Sequence, residues 1–145
     1  MPAKPVLLDS GPLAALFSRA DRDHARAMRF FESCDRPFAT TEAVVTKLAY
    51  VLSDNVRLQS LALEWVDAAR RHGRLEIAAV ADHAALARTM QRYADPPFDY
   101  ADATLIELAD ALETRDIATL DKRDFSIYRL KGNRRFHLVF GADKT

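Results

Sequence analysis

Short apolar segments alternate with amphipathic helical patterns along this chain, and this alternation constrains its fold more than any other feature. Five apolar segments are predicted strands: residues 5–8, 36–40, 75–80, 117–120 and 136–140. Between them, apolar residues recur at spacings of three and four, which indicates helices with one buried face. Strands that alternate with helices predict an α/β fold with a parallel sheet covered on both faces.

Chain length and local signals complete this outline. The chain has 145 residues, of which 49% are hydrophobic, so we predict one domain over residues 1–145. A helix is predicted to begin at Glu42, another directly after Asp82, and a third to extend over residues 99–114. Residues 122–135 are predicted to form a basic loop before the last strand.

Charge and cysteine content exclude several classes of protein. The 21 basic and 21 acidic residues cancel, which argues against nucleic-acid binding through bulk charge alone. Cys34 is the single cysteine, so neither an intrachain disulfide nor a cysteine-rich zinc site is expected. The apolar run near the N-terminus is too short for a signal peptide, and none approaches the ~20 residues of a membrane span. We therefore expect a soluble, cytoplasmic protein.

Acidic side chains mark one edge of the predicted sheet. In parallel α/β sheets, functional sites form beyond the carboxyl ends of the strands. Asp9 directly follows the strand "VLL", and Asp121 directly follows "IATL", whereas Asp116 precedes that strand and belongs to the opposite edge. Glu42 follows the strand "PFAT", and Asp102 lies in the first turn of its predicted helix.

Helical phase adds weight to Glu42 and Asp102. Val45 and Ala49 lie three and seven residues after Glu42, and Leu105 lies three residues after Asp102. Both carboxylates are therefore predicted to point along apolar helix faces and not toward solvent.

A capping role is the alternative for each acid taken alone. Asp and Glu favour helix N-termini, where they accept hydrogen bonds from free N–H groups and complement the helix dipole. Asp99 and Asp102 are spaced like a capping pair, and Asp9 and Asp121 taken singly are more typical of caps or turns. The prediction of a site depends on the whole set, because four acids from four segments are placed at one edge.

Such a set of carboxylates requires neutralisation. Like charges repel at close range and burial increases the cost, so either protons or a cation must balance them. Oxygen ligands without cysteine or clustered histidine favour Mg²⁺ or Mn²⁺ over zinc. A metal-activated water attacking a phosphodiester is the chemistry that such a site suits best.

The segments "VLLDSGPLAALF", "TTEAVVTKLAYVL", "FDYADATLIELADAL" and "IATLDKRDFSIYR" together resemble the PIN domain, specifically the VapC-type toxins of type II toxin–antitoxin modules. The resemblance spans almost the whole chain. It implies a PIN-like three-layer α/β/α sandwich with a central parallel sheet, and an endoribonuclease that requires Mg²⁺ or Mn²⁺. It also implies a homodimer held inactive by a cognate antitoxin. The acids that match the family's catalytic positions are Asp9, Glu42, Asp102 and Asp121, of which Asp9, Asp102 and Asp121 are the expected metal ligands.

Four further residues are candidates for supporting roles. Asp124 is either a supporting acid or the start of a helix, and Asp99 is either an N-cap or an outer acid of the site. Ser10 and Thr119 flank the site acids, where their hydroxyls either bond a carboxylate or metal-bound water or stabilise a local turn.

A basic stretch begins directly after Asp121. Residues 122–135 contain six basic side chains and one acidic side chain. Lys122, Arg123 and Arg129 are the candidates for positioning RNA phosphates, and an ordinary solvated surface is the alternative.

The alternatives to a toxin ribonuclease are a PIN nuclease that acts in RNA processing and a catalytically silent PIN-like binding module. The presence of all four acids argues against the silent form. A receiver domain also gathers acids at strand ends, but it normally places a phospho-accepting Asp after a central strand and a Lys after a late one, and this sequence has no matching set.

Overall fold

The computed structural model describes residues 3–93 and 98–141, in which strands and helices alternate as predicted. The strands are β1 (Val6–Leu8), β2 (Phe38–Thr41), β3 (Leu75–Ala78), β4 (Asp116–Ala118), β5 (Arg129–Leu130), β6 (Arg134–Arg135) and β7 (His137–Leu138). The helices are α1 (Ser10–Phe17), α2 (His24–Ser33), α3 (Glu42–Val51), α4 (Val56–Arg71), α5 (His83–Arg92), α6 (Tyr100–Leu112) and α7 (Lys122–Ile127), with a short 3₁₀ turn at Lys131–Asn133. None of these helices is long and apolar enough to cross a membrane.

Among the described residues, five strands form one parallel sheet in the order β3-β2-β1-β4-β7. Every neighbouring pair in this sheet is parallel, which confirms the predicted parallel sheet. The strand β1 lies at its centre, and Leu7 and Leu8 are completely buried there. Because β1, β2 and β4 are neighbours, their carboxyl ends bring Asp9, Glu42 and Thr119 to the same edge of the sheet.

Helices cover both faces of the sheet and bury a separate apolar core against each. One core includes Leu8, Leu13 and Phe140, and the other includes Leu7 and Leu105. Consecutive residues of β1 therefore point into opposite cores, as the period of two in a strand requires. The three layers confirm the expected α/β/α architecture.

The predicted basic loop at residues 122–135 is wrong. This segment contains α7 and an antiparallel hairpin of β5 and β6. The helix forms because the Asp121 side chain caps it and because Phe125 is completely buried. The hairpin turns at Gly132 and Asn133, whose φ angles of 76° and 61° belong to the left-handed region that these two residue types tolerate best.

Strand boundaries also differ slightly from the prediction. The predicted strand at 75–80 ends at Ala78, and the last strand is confined to His137–Leu138. Asp116 is the first residue of β4, so it still lies at the edge opposite Asp121.

At that opposite edge, Asp116 has a structural role. Its Oδ2 accepts a hydrogen bond from Arg36 Nη1 at 2.7 Å, and His137 Nδ1 lies 2.8 Å from its Oδ1. Partial burial raises the pKa of Asp116, but the hydrogen bonds and charges of Arg36 and His137 outweigh this effect and hold it below its usual value.

Candidate active site

Three acids meet at the carboxyl edge of the sheet. Asp102, Asp121 and Asp124 each offer one carboxylate oxygen, and these oxygens lie within 4.8 Å of one another. Asp102 lies in the first turn of α6, Asp121 is the N-cap of α7, and Asp124 lies in the first turn of α7. The structure thus brings together two of the predicted catalytic acids, and it adds Asp124, one of the candidate supporting acids.

Asp102 is buried, as its helical phase predicts. Only 3% of the residue is exposed, and its Oδ2 accepts a hydrogen bond from Tyr128 Oη at 2.9 Å. Burial and the negative charges of Asp9 and Asp99 raise the pKa of Asp102 to about 7, although the Tyr128 hydrogen bond and the charge of Lys47 act in the opposite direction. Near neutral pH and without metal, this carboxyl group is therefore about half protonated.

Asp9 both caps a helix and belongs to the site. Its Oδ1 accepts a hydrogen bond from the backbone N–H of Ser10 at 2.8 Å, at the start of α1. Its Oδ2 accepts a second hydrogen bond from Thr119 Oγ1 at 2.7 Å. Burial raises the pKa of Asp9, and its charge in turn raises the pKa of Asp102. Asp9 lies outside the tight group of three oxygens, so its role as a metal ligand stays a prediction.

Thr119 connects the ends of the two central strands. Besides donating to Asp9, its hydroxyl oxygen accepts a hydrogen bond from the backbone N–H of Asp121 at 3.0 Å. The Thr119 hydroxyl thus makes contacts that fit both predicted alternatives, a bond to the Asp9 carboxylate and a local turn, and its role in the site stays a prediction. For Ser10, the bond to Asp9 comes from the backbone, and the role of its hydroxyl stays a prediction.

The predicted orientation of Glu42 is wrong. Its side chain is exposed, and the buried residues of α3 are Val44 and Leu48. The reason lies in Thr41, the buried N-cap, whose hydroxyl lies 2.7 Å from Thr104 Oγ1 on α6 and accepts from Val44 N–H. This contact sets the rotation of α3, so its first residue faces solvent beside the site. A catalytic role for Glu42 stays a prediction.

Asp99 is the N-cap of α6, which is one of the two roles predicted for it. Its Oδ1 accepts from the backbone N–H groups of Ala101 at 2.7 Å and Asp102 at 3.4 Å. Its Oδ2 forms an ion pair with Lys47 Nζ. The Asp102 side chain instead accepts from Tyr128, so the two acids do not act as a reciprocal capping pair.

Sequence reasoning missed Lys47 and Tyr128. They lie 52 and 26 residues from their carboxylate partners, so no local pattern connects them. One local signal for Tyr128 exists, because Phe125 and Tyr128 are three residues apart in the sequence, a spacing that brings two side chains together across a helical turn. In the structure, Tyr128 is the C-cap of α7 and its ring contacts that of Phe125.

We expect Tyr128→Phe to weaken divalent-metal binding about tenfold, because a partner that orients a ligand typically contributes this much or more. The substitution removes the hydrogen bond that lowers the pKa of Asp102 and leaves the ring contacts with Phe98 and Phe125 intact. Calorimetric titration with Mn²⁺ at pH 7 measures the effect. Tyr100→Phe, at an exposed tyrosine that begins α6, is the matched control and should bind as the wild type does. Equal affinity of Tyr128→Phe and wild type would contradict the assigned contact.

The donor set of the cluster fits a hard divalent cation. All three acids offer oxygen, and Asp102, whose ionisation burial makes costly, lies among them. Carboxylates that are costly to ionise together favour a bound cation, and oxygen ligands favour Mg²⁺ or Mn²⁺.

Comparison with known proteins assigns the family. No protein-family model matches the sequence. The chain is 30% identical to Ribonuclease VapC26 of Mycobacterium tuberculosis over 134 residues, which cover 92% of this chain and 99% of that protein. Its fold is similar to the crystal structure of Mycobacterium tuberculosis VapC20, described as a sarcin-ricin loop cleaving toxin. The TM-score is 0.66 at 18% identity, over 81% of this chain and 91% of the other.

The three-layer fold, with acids gathered at the carboxyl edge of its sheet, defines a PIN-type α/β/α protein. The similarity to Ribonuclease VapC26 goes further, and the chain belongs to the VapC family of PIN-domain ribonuclease toxins.

Proposed function

We propose that this chain is a Mg²⁺- or Mn²⁺-dependent endoribonuclease and the toxin component of a type II toxin–antitoxin system. The observation that supports this most is the cluster of Asp102, Asp121 and Asp124, in which a buried carboxyl group has a pKa of about 7. The family membership supplies the substrate class, since the 30% identical relative is a ribonuclease.

Each acid at the edge has a distinct task in this proposal. Asp102, Asp121 and Asp124 would hold the cation, and Asp9 contributes charge from the end of β1. A bound divalent cation would supply activation of the attacking water and compensation for the charge of the scissile phosphodiester. Glu42, exposed at the start of α3, accepts the proton that the attacking water releases.

Several neighbours position these acids. The Thr119 hydroxyl donates a hydrogen bond to the Asp9 carboxylate and accepts one from the backbone N–H of Asp121. Tyr128 fixes the Asp102 carboxylate from the end of α7. Since Asp9, Asp102 and Thr119 are all buried, their side chains have few alternative orientations, and the site is preorganised.

The start of α7 supplies cations for the RNA backbone. Lys122 and Arg123 are exposed in the turn that follows Asp121, so they lie beside the cluster and are available to phosphates. Arg129 is half-buried, and its Nη1 donates to three carbonyl groups near the end of α7, those of Ser126, Ile127 and Tyr128. Its contribution to RNA binding is therefore indirect, through the position of α7.

The family membership supports the partners and location that we propose. In this proposal the toxin acts in the cytoplasm, forms a homodimer and is inhibited by a cognate antitoxin. Exposed apolar side chains at the junction of α3 and α4, namely Tyr50, Val51 and Val56, support an additional protein contact in this region.

Expression of the chain alone in bacterial cells tests this function. We expect growth arrest and degraded RNA, and normal growth when Asp102→Asn is expressed at the same level. Asp116→Asn makes the same substitution at the opposite edge of the sheet and should arrest growth as the wild type does. A silent binding module would leave RNA intact, so normal growth and intact RNA in cells rich in folded wild-type protein would contradict the proposal.

A further inference from the structure

A lysine lies among the acids of the candidate site. Lys47 directly precedes the buried Leu48 and lies three residues after the buried Val44, so it projects near the packed side of α3. Its Nζ forms an ion pair with Asp99 Oδ2 at the start of α6. Its positive charge also acts on Asp9, Asp99 and Asp102.

The ion pair itself contributes little to the stability of the fold. The side chains of Lys47 and Asp99 are 37% and 38% exposed, and pairs at such positions are typically worth about 0–1 kcal/mol. Asp99 caps α6 through its other oxygen, so the cap does not require the lysine. Besides this pairing, the charge of Lys47 acts on Asp9 and Asp102, which are both buried, and charges interact more strongly in a buried, weakly polar environment.

Asp102 takes part in two overlapping groups of acids. One of its oxygens lies close enough to oxygens of Asp121 and Asp124 for the three to share one ion. Asp9 and Asp99 form the second group with it, since both raise the pKa of Asp102 through their charges, and Asp99 also acts on Asp124. Lys47 is the basic side chain whose charge acts on this second group.

We infer that Lys47 is a built-in counter-cation of the active site, which balances Asp9, Asp99 and Asp102 and leaves room for a single divalent ion at Asp102, Asp121 and Asp124. Nucleases that use two metal ions place them about 3.5–4 Å apart to bind both sides of one phosphate. Here a lysine ammonium group takes the place of the second ion. The inference rests on the proposed metal-dependent function and adds the number of ions and the role of Lys47, a positioning residue that acts through the carboxylates.

The number of bound ions tests the inference directly. Calorimetric titration of the full chain with Mn²⁺ should give one ion per wild-type chain. Lys47→Met keeps the length of the apolar stem but removes the charge, and it should bind two ions. Lys47→Arg keeps the charge and should bind one. Lys4→Met is the matched control and should bind one ion, because Lys4 is exposed, donates to the backbone carbonyl of Glu113 and precedes β1, at the edge of the sheet opposite the cluster.

Thermal unfolding separates the electrostatic role from a merely structural one. In EDTA, Lys47→Met should unfold several degrees below the wild type, because three acids lose their counter-charge. Saturating Mn²⁺ should remove most of this difference, since a second ion replaces the ammonium group. A structural ion pair would instead lower the melting temperature equally with and without Mn²⁺.

Two results would overturn the inference: one Mn²⁺ with wild-type affinity in Lys47→Met, or two Mn²⁺ in the wild type. If Lys47→Met does not fold, Lys47→Gln provides the same comparison. Failure of the wild type to bind any Mn²⁺ would contradict the proposed function itself and the inference with it.

Discussion

Asp102→Asn is expected to produce a protein that is more stable than the wild type in the absence of metal and that no longer cleaves RNA. The pKa of Asp102 is raised from 3.8 to about 7 by burial and by the charges of Asp9 and Asp99. Asparagine removes the charge that burial disfavours, and its side-chain oxygen still accepts the hydrogen bond from Tyr128. It also removes a central ligand of the cation.

The sign and size of the stability change follow from proton linkage. Between about pH 4 and pH 7 the native state holds a proton on Asp102 that the unfolded state releases, so stability falls as the pH rises through this window. Above about pH 7 Asp102 is ionised in the native state as well, and the free-energy cost of burying its charge is fully present. One pKa unit corresponds to about 1.4 kcal/mol, so Asp102→Asn should gain on the order of 2–4 kcal/mol at pH 8 and much less at pH 4.

Denaturant unfolding in EDTA at pH 4 and pH 8 measures this gain. Asp116→Asn is the control, and it should be less stable than the wild type at pH 8. Burial raises the pKa of Asp116, but the hydrogen bonds from Arg36 and His137 outweigh this effect and lower it, so the contribution of Asp116 to stability is present above about pH 4 and is lost in acid. If the free energy of unfolding changed equally in the two variants at pH 8, or if Asp102→Asn cleaved RNA, the role assigned to Asp102 would be contradicted.

Metal binding should weaken steeply below pH 7. A divalent cation must displace the proton from Asp102, whose pKa is about 7. The affinity for Mn²⁺ should therefore fall about tenfold per pH unit below pH 7 and level off above it. A still steeper fall is expected if Asp9, whose pKa is also raised by burial, releases a second proton.

The pH dependence of the affinity for Mn²⁺ can be measured by calorimetric titration from pH 5.5 to 8.5. Tyr100→Phe, which leaves the cluster untouched, should show the same pH profile as the wild type. An affinity independent of pH between 5.5 and 7 would show that the ion does not bind at Asp102.

The sequence was sufficient to predict those parts of the molecule that depend on local patterns. The apolar strands and the periodicity of the helices predicted the parallel sheet, because burial on both faces leaves a strong signal in each segment. Asp102 was placed correctly because α6 is buried along almost all of its length, so a carboxylate in its first turn had little access to solvent.

The errors involve contacts between distant segments. The helical pattern predicts the wrong side of α3 for Glu42, because the hydroxyl contact between Thr41 and Thr104 sets the rotation of that helix. The pattern predicts a loop in place of the short helix α7, because only one side chain of that helix, Phe125, is buried. Lys47 reaches the site from α3, and its partner Asp99 lies 52 residues away, so only the assembled fold brings them together.

Cleavage of RNA by the purified chain, with and without a divalent cation, tests the central claim most directly. We expect single-stranded RNA to be cut when Mg²⁺ or Mn²⁺ is present, and to remain intact in EDTA or with Asp102→Asn under the same conditions. Cleavage that persists in EDTA, or that Asp102→Asn retains in full, would contradict a metal-dependent site at Asp102, Asp121 and Asp124.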